Sequence, residues 1–249
     1  MIYLYSQKQF GYSMSFFLKF CLCAALLLAT ALGFGNLLFR SQNGPANTAS
    51  ADEKITVVLD PGHGGRDGGA VGDDGTLEKG LNLSVALKLK AILESADIHV
   101  VMTRETDIEL ASPDSPHKKA DDLKARLELA EKQKNAIFVS IHMNKFPIEK
   151  YRGLQVYYSE NHAESLILAQ TVQNRAQEAL HNTEDRKVKP AGDSIYLMSH
   201  LKIPAILIEC GFLSNTEERE LLKSENYQKK LALCLSAAIL EYISSTDLN

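Results

Sequence analysis

The sequence has little cysteine: Cys21, Cys23, Cys210 and Cys234 are the only four in 249 residues. The first two fall inside an apolar N-terminal run, and no C-x-x-C or zinc-finger spacing occurs. That excludes a disulfide scaffold and a cysteine-built zinc module. Acidic residues are missing from the first 51 positions, since all 31 lie from Asp52 onward. Those 51 residues carry only Lys8, Lys19 and Arg40, so they are +3, and the whole-chain charge of −4 leaves −7 for the remainder. A predominantly acidic folded portion lacks the basic surface that phosphates demand, which excludes nucleic acid as a partner. No repeat or low-complexity tract is present, so solenoids and propellers are excluded. Hydrophobic content of 45% and charged content of 23% exclude a wholly disordered chain and suit one α/β domain with a tail.

What is present begins with that tail. Phe16–Phe39 (FFLKFCLCAALLLATALGFGNLLF) is broken only by Lys19. Its last 20 residues, Phe20–Phe39, match the ~20 needed to cross a bilayer. Two lysines precede it and Arg40 follows, which keeps the N-terminus inside and exports the rest. Residues 1–40 therefore read as a membrane anchor or signal segment, with a hydrophobic helix ahead of the domain. Ala49-Ser50-Ala51 is the small-x-small site at which a signal would be cut. Residues 41–53 are a polar linker, and 54–245 are the folded domain.

The domain is organised around Val57–Gly80 (VVLDPGHGGRDGGAVGDDGTLEKG). Val57, Val58 and Leu59 form an apolar run that suits a strand buried on both faces. Asp60-Pro61-Gly62 stops it, and a glycine-rich loop carrying His63 follows. A glycine loop ahead of a helix can cradle phosphate, but neither GxxxxGK[ST] nor GxGxxG is here. Leu77, Leu81, Val85, Leu89 and Ile92 repeat at helical spacing, so a helix runs from about Glu78 to Ser95 with Glu78 in its first turn. There the helix dipole favours a carboxylate whether or not it binds metal.

Two further apolar runs end in functional residue types. Ala136–Ile141 leads into His142, with Asn144 two residues on, and Ile203–Ile208 leads into Glu209. In open α/β sheets sites gather beyond the carboxyl ends of the strands, where these separated residues can converge. Two histidines and a carboxylate with one open position is the catalytic zinc pattern, and a second carboxylate then serves as general base. Spacing alone does not say which glutamate binds and which moves protons. A lone strand-end histidine is more often structural; four such residues favour a site.

These motifs, LDPGHGGRDGGAVG, Glu78, SIHMN and ILIECGFLSN, resemble the zinc-dependent N-acetylmuramoyl-L-alanine amidases of the bacterial cell wall. The resemblance covers about residues 54–245 in order. It implies Zn²⁺ held by His63, Glu78 and His142, Glu209 as catalytic base, and Asn144 as a substrate contact. It also places Arg126 in a buried ion pair. PIEKYRGLQVYYS, KPAGDSIYLM and the lack of wall-binding repeats look most like the germination-specific, spore-cortex amidases. That implies cleavage of the muramoyl–alanine amide of peptidoglycan, a step toward muramic-δ-lactam, in the extracytoplasmic envelope space of a forespore. It also implies an exported protein partner. Two rival readings are a zinc peptidase and a non-catalytic wall-binding module.

The fold expected is one α/β domain with a mostly parallel central sheet and helices on both faces. Strands are expected at Lys54–Asp60, His99–Arg104 and Leu154–Ser159, and helices over 162–180, 217–222 and 227–243. Ile195–Met198 reads as a short strand or turn, and Glu105–Asp122 as a solvated, mobile loop. Lys145–Gly153 and Thr183–Ser194 read as loops beside the site. His99, His117, His162, His181 and His200 are taken as termini or surface. Cys234 belongs to the stripe Leu231, Leu235, Ala238, Tyr242. Cys210 has a nucleophilic role only if it shares the face of Glu209, which strand alternation opposes. The spacing leaves a Cys210–Cys234 disulfide undecided.

Overall fold

The computed structural model describes residues 54–180 and 186–246. The hydrophobic segment Phe16–Phe39, the linker 41–53 and His181 lie outside them. Among the described residues no helix is long and apolar enough to cross a membrane.

Six strands form the sheet: β1 (Thr56–Pro61), β2 (His99–Met102), β3 (Ala136–Asn144), β4 (Gln155–Tyr158), β5 (Lys189–Pro190) and β6 (Ala205–Phe212). Their order is β2-β1-β3-β6-β4-β5. All pairings are parallel except β4 with β6. Among the described residues six helices accompany the sheet: α1 (Glu78–Ser95), α2 (Lys118–Glu131), α3 (Glu164–Leu180), α4 (Tyr196–His200), α5 (Thr216–Lys223) and α6 (Glu225–Thr246).

Side-chain alternation sorts the strands into two faces. Val57, Leu59, Ile137, Val139, Ile141, Ile206 and Ile208 pack with the apolar stripes of α1, α3 and α6. Each such fully buried aliphatic side chain contributes about 1.5–3 kcal/mol. Val58, Ala136, Phe138, Ala205 and Leu207 point the other way, against α2 and the short α4. The second face is the thinly covered one. Continuing its alternation toward the strand ends reaches Asp60, Ser140, His142 and Glu209. Parallel register aligns Asp60 with Ser140 and His142 with Glu209. Polar residues thus succeed apolar ones on one face, at one edge of the sheet.

Several expected boundaries move. His142, Asn144 and Glu209 lie inside β3 and β6, not after them. β2 ends two residues before Arg104. Ile195–Met198 is not a strand: α4 forms there, with Leu197, Met198 and Leu201 buried together at helical spacing. A run of four residues is too short for periodicity to separate the two. The stretch expected as a mobile loop over Glu105–Asp122 ends inside α2, and its acids tie it to the glycine loop. Asp107 accepts from the Gly65 amide at 2.9 Å and from Lys79 Nζ at 2.7 Å, and Glu109 accepts from Arg66 Nε at 3.1 Å. At the end of β6, Asn215 caps α5 by accepting from the Glu218 amide at 3.0 Å.

Candidate metal centre

β1 delivers the chain to His63 through Gly62, whose amide still donates to the Ile141 carbonyl at 3.0 Å. His63 itself adopts a left-handed backbone, φ 62°. For a non-glycine residue that costs on the order of 1–2 kcal/mol and persists only where the surroundings enforce it. The enforcement is visible. Arg126 Nη2 donates to the His63 carbonyl at 2.7 Å, and Arg126 Nη1 and Arg104 Nε both donate to that of Pro61.

His63 Nε2 lies 3.1 Å from Glu78 Oε2, and His142 Nδ1 lies 2.9 Å from Glu78 Oε1. One donor atom from each of the three falls within 4.8 Å of the others. Glu78 is buried and further held by the Ala70 and Met143 amides, at 2.7 and 3.0 Å, and by Asn82 Nδ2 at 3.1 Å. Asp67 Oδ2 sits 2.9 Å from His63 Nδ1, fixing the ring from its other side.

The charges explain each other. Burial disfavours the His63 cation, but Glu78 and Asp67 outweigh it and push its pKa up to about 9. Burial likewise opposes the Glu78 anion, yet His142 and His63 hold its carboxyl far below the usual range. Glu78 and Asp67 thus favour the protonated form of the His63 ring. Glu209, beside His142 in the register, has an Oε2 that is buried and has no hydrogen-bond partner. Its burial pushes the carboxyl up to about 7, with Glu78 adding to the rise and the two histidines opposing it. Two imidazoles, one carboxylate and an adjacent orphaned carboxylate fit a zinc with an open position.

Backbone proximity is a condition of this geometry. A Cβ on Gly62 would lie 2.2 Å from His142 Nε2, and one on Gly69 would lie 2.5 Å from Glu78 Oε2. Gly62→Ala is expected to displace His142, weaken metal uptake at least ~10-fold and cost about 1–3 kcal/mol of stability. Gly80→Ala, whose Cβ meets nothing within 4 Å and which lies in α1, should leave metal uptake unchanged and raise stability by about 0.5–1 kcal/mol. Metal analysis and thermal melts of the two variants check this.

A buried network supports the loop from beneath. Asp60 Oδ1 accepts from Arg126 Nη1 at 2.6 Å and from Thr103 at 2.7 Å, while Oδ2 accepts from Ser140 at 2.7 Å. Burial opposes the Asp60 charge, but Arg126 and the two hydroxyls keep its carboxyl below its ordinary value. Arg126 also bonds Asp122 at 2.7 Å, so the expected buried ion pair is present. A cleft of ≈ 370 Å³ opens beside the triad, walled by His63, His142, Asp67, Arg66, Lys119 and Leu197.

Of the residues singled out from sequence, His63, Glu78 and His142 converge and Glu209 stands beside them. Asn144 lies beyond a register shift in β3, half-buried and outside the cluster, its carbonyl accepting from the Leu213 amide at 2.7 Å. Lys145 reaches from the following loop to the Val71 carbonyl at 2.7 Å. His99, His117, His162 and His200 do not join the cluster; His200 stacks on Tyr196 at 4.1 Å. Cys210 is buried on the opposite face of β6, its thiol pushed well up by burial, which removes it as a nucleophile. It and Cys234 are both free, so the disulfide is not formed. Asp60, Asn82 and Arg104 were not anticipated. Asn82 had a signal, four residues from Glu78 on one helix face.

Comparison with known proteins agrees with this geometry. A family model described as N-acetylmuramoyl-L-alanine amidase matches residues 57–241. A germination-specific N-acetylmuramoyl-L-alanine amidase of Bacillus subtilis is 39% identical over 191 residues, covering 76% of this chain and 79% of that protein. The amidase LytC of the same organism is 30% identical over 75% of this chain, but the match covers only 35% of LytC. Among solved structures, the CwlD amidase of Clostridioides difficile, in complex with the GerS lipoprotein, superimposes with a TM-score of 0.72 at 40% identity. That match covers 76% of this chain and 98% of CwlD. With the motifs in order, the donor triad assembled and the family model spanning the sheet from β1 to α6, the chain belongs to the N-acetylmuramoyl-L-alanine amidase family.

Proposed function

We propose that the chain hydrolyses the muramoyl–L-alanine amide of spore-cortex peptidoglycan with a zinc held by His63, Glu78 and His142. The observation that carries this reading is the convergence of those three donors with the orphaned oxygen of Glu209 alongside. Zinc supplies Lewis acidity, polarising the amide carbonyl and acidifying water. Glu209 takes a proton from the attacking water and returns it to the nitrogen of the departing L-alanine. Its elevated pKa suits both transfers, because a group poised near operating pH can accept and donate. The Asp67 and Asn82 contacts orient the donors, and Arg126 holds the His63 backbone.

The germination-specific relative supports the cortex reading, and with it a location outside the cytoplasm, in the forespore envelope. Residues 1–40 are read as its membrane anchor or signal, 41–53 as a linker and 54–245 as the catalytic domain. Asn144, at the site end of β3, is read as a substrate contact. CwlD was solved with a lipoprotein, and by that likeness this chain is read as having an exported partner.

Mass analysis of products from purified cortex and vegetative peptidoglycan tests the reading. A free alanine amine with a free lactyl carboxyl on cortex strands is the expected result. Cleavage between amino acids would make it a peptidase, and zinc uptake without any cleavage would make it a binding module.

A further inference from the structure

Arg104 has no part in the mechanism above, yet with Arg126 it is among the largest fully buried side chains. It is 2% exposed and, among the described residues, meets no carboxylate within ion-pair distance. Its donors go to main-chain carbonyls instead. Nε donates to Pro61 at 2.9 Å, Nη1 to Thr106 at 3.1 Å, and Nη2 to both Gly62 and Lys79 at 2.9 Å. Gly62 is the residue before His63, and Lys79 is the residue after Glu78. One nitrogen therefore ties together the two segments that carry two of the three metal donors.

Arg126 takes the next carbonyl, that of His63, so three consecutive carbonyls turn toward two guanidinium groups. The duties of the two differ. Arg126 is neutralised by Asp60 and Asp122, whereas burial and the Arg126 charge both work against Arg104. Asp60, Asp107 and Asp122 offset these only from beyond ion-pair distance, and a buried cation without a direct ion pair is costly; here it is retained where a planar fork spans loop and helix at once. No shorter or rounder cation reproduces that span.

We propose that Arg104 is a positioning residue for the metal centre, clamping the His63 loop to the first turn of α1 so that His63 and Glu78 are preset for a divalent cation. This rests on the zinc reading above.

The test is the zinc dissociation constant of the full chain carrying Arg104→Ala or Arg104→Lys, measured by competition with a chromophoric chelator at a temperature where circular dichroism shows folded protein. Leu93→Ala, a buried substitution in the last turns of α1, is the stability-matched control. Arg104→Ala should weaken zinc about 10–100-fold, as loss of an outer-shell support does, and millimolar guanidinium should recover part of that loss. Leu93→Ala should bind as the parent does and show no guanidinium response. If Arg104→Ala does not fold, Arg104→Lys carries the test, since it keeps the charge and loses the fork; it too should bind at least several-fold more weakly. Parental affinity in the folded Arg104 variants, or an equal loss in Leu93→Ala, overturns the proposal. A parent chain that takes up no zinc overturns the metal reading and the proposal with it.

Discussion

Glu209→Gln is expected to keep its zinc and lose hydrolysis by about 10²–10⁴-fold. The substitution preserves shape in a site where Oε2 has no partner, so the fold has little to lose. What disappears is a carboxylate beside the triad that makes no bond to it. Glu78, by contrast, is gripped by two histidines, two amides and Asn82, so Glu78→Ala should lose metal rather than chemistry alone. Zinc content and single-turnover cleavage of a muramoyl-peptide separate the two. Zinc loss in Glu209→Gln with retention in Glu78→Ala would reverse the assigned roles.

His63→Ala and His142→Ala should each abolish both zinc binding and cleavage, because a three-donor site has no reserve. A strong chelator should silence the parent chain and added zinc should restore it; full activity in metal-free protein would remove zinc from the mechanism. The raised pKa of His63 adds a pH signature. His63, pushed up to about 9 by Glu78 and Asp67 against its burial, must be deprotonated to bind metal. Zinc affinity should therefore rise about tenfold per pH unit through neutrality and level off above about 9. Calorimetry in buffers of different ionisation enthalpy should register about one proton released at pH 7. An affinity flat between pH 7 and 9 would place the proton elsewhere.

The parts legible in sequence are those whose determinants are local. The helix α1 has the expected bounds, Glu78 to Ser95, because its apolar residues recur at every turn and nothing interrupts them. His63, His142 and Glu209 stood out because each follows an apolar run. That Asp60, His142 and Glu209 share one sheet face was latent in the alternation from Val58 to Asp60, from Phe138 to His142 and from Leu207 to Glu209. It becomes a contact only once register is known, and register is a tertiary property. Arg104 had no local signature, since its carbonyl partners at Gly62 and Lys79 lie 42 and 25 residues away. The acids at Asp107 and Glu109 looked like solvated decoration for the same reason: their partners are the glycine-loop amide of Gly65 and the side chains of Lys79 and Arg66.

The sheet order has a consequence for how the chain is completed. β6, made of residues 205–212, lies between β3 and β4, so each keeps a bare edge until the last strand in the sequence arrives. The three clustered donors sit in the loop after β1, in α1 and in β3, elements that pair or pack with one another without β6. In chain order all three donors thus precede Glu209. Some sixty residues of chain, Asn144 to Ala205, separate the end of β3 from the start of β6. Until β6 docks, the open edges of β3 and β4 are surfaces prone to mispairing with another chain, so the strand bearing Glu209 is also the one that closes the sheet.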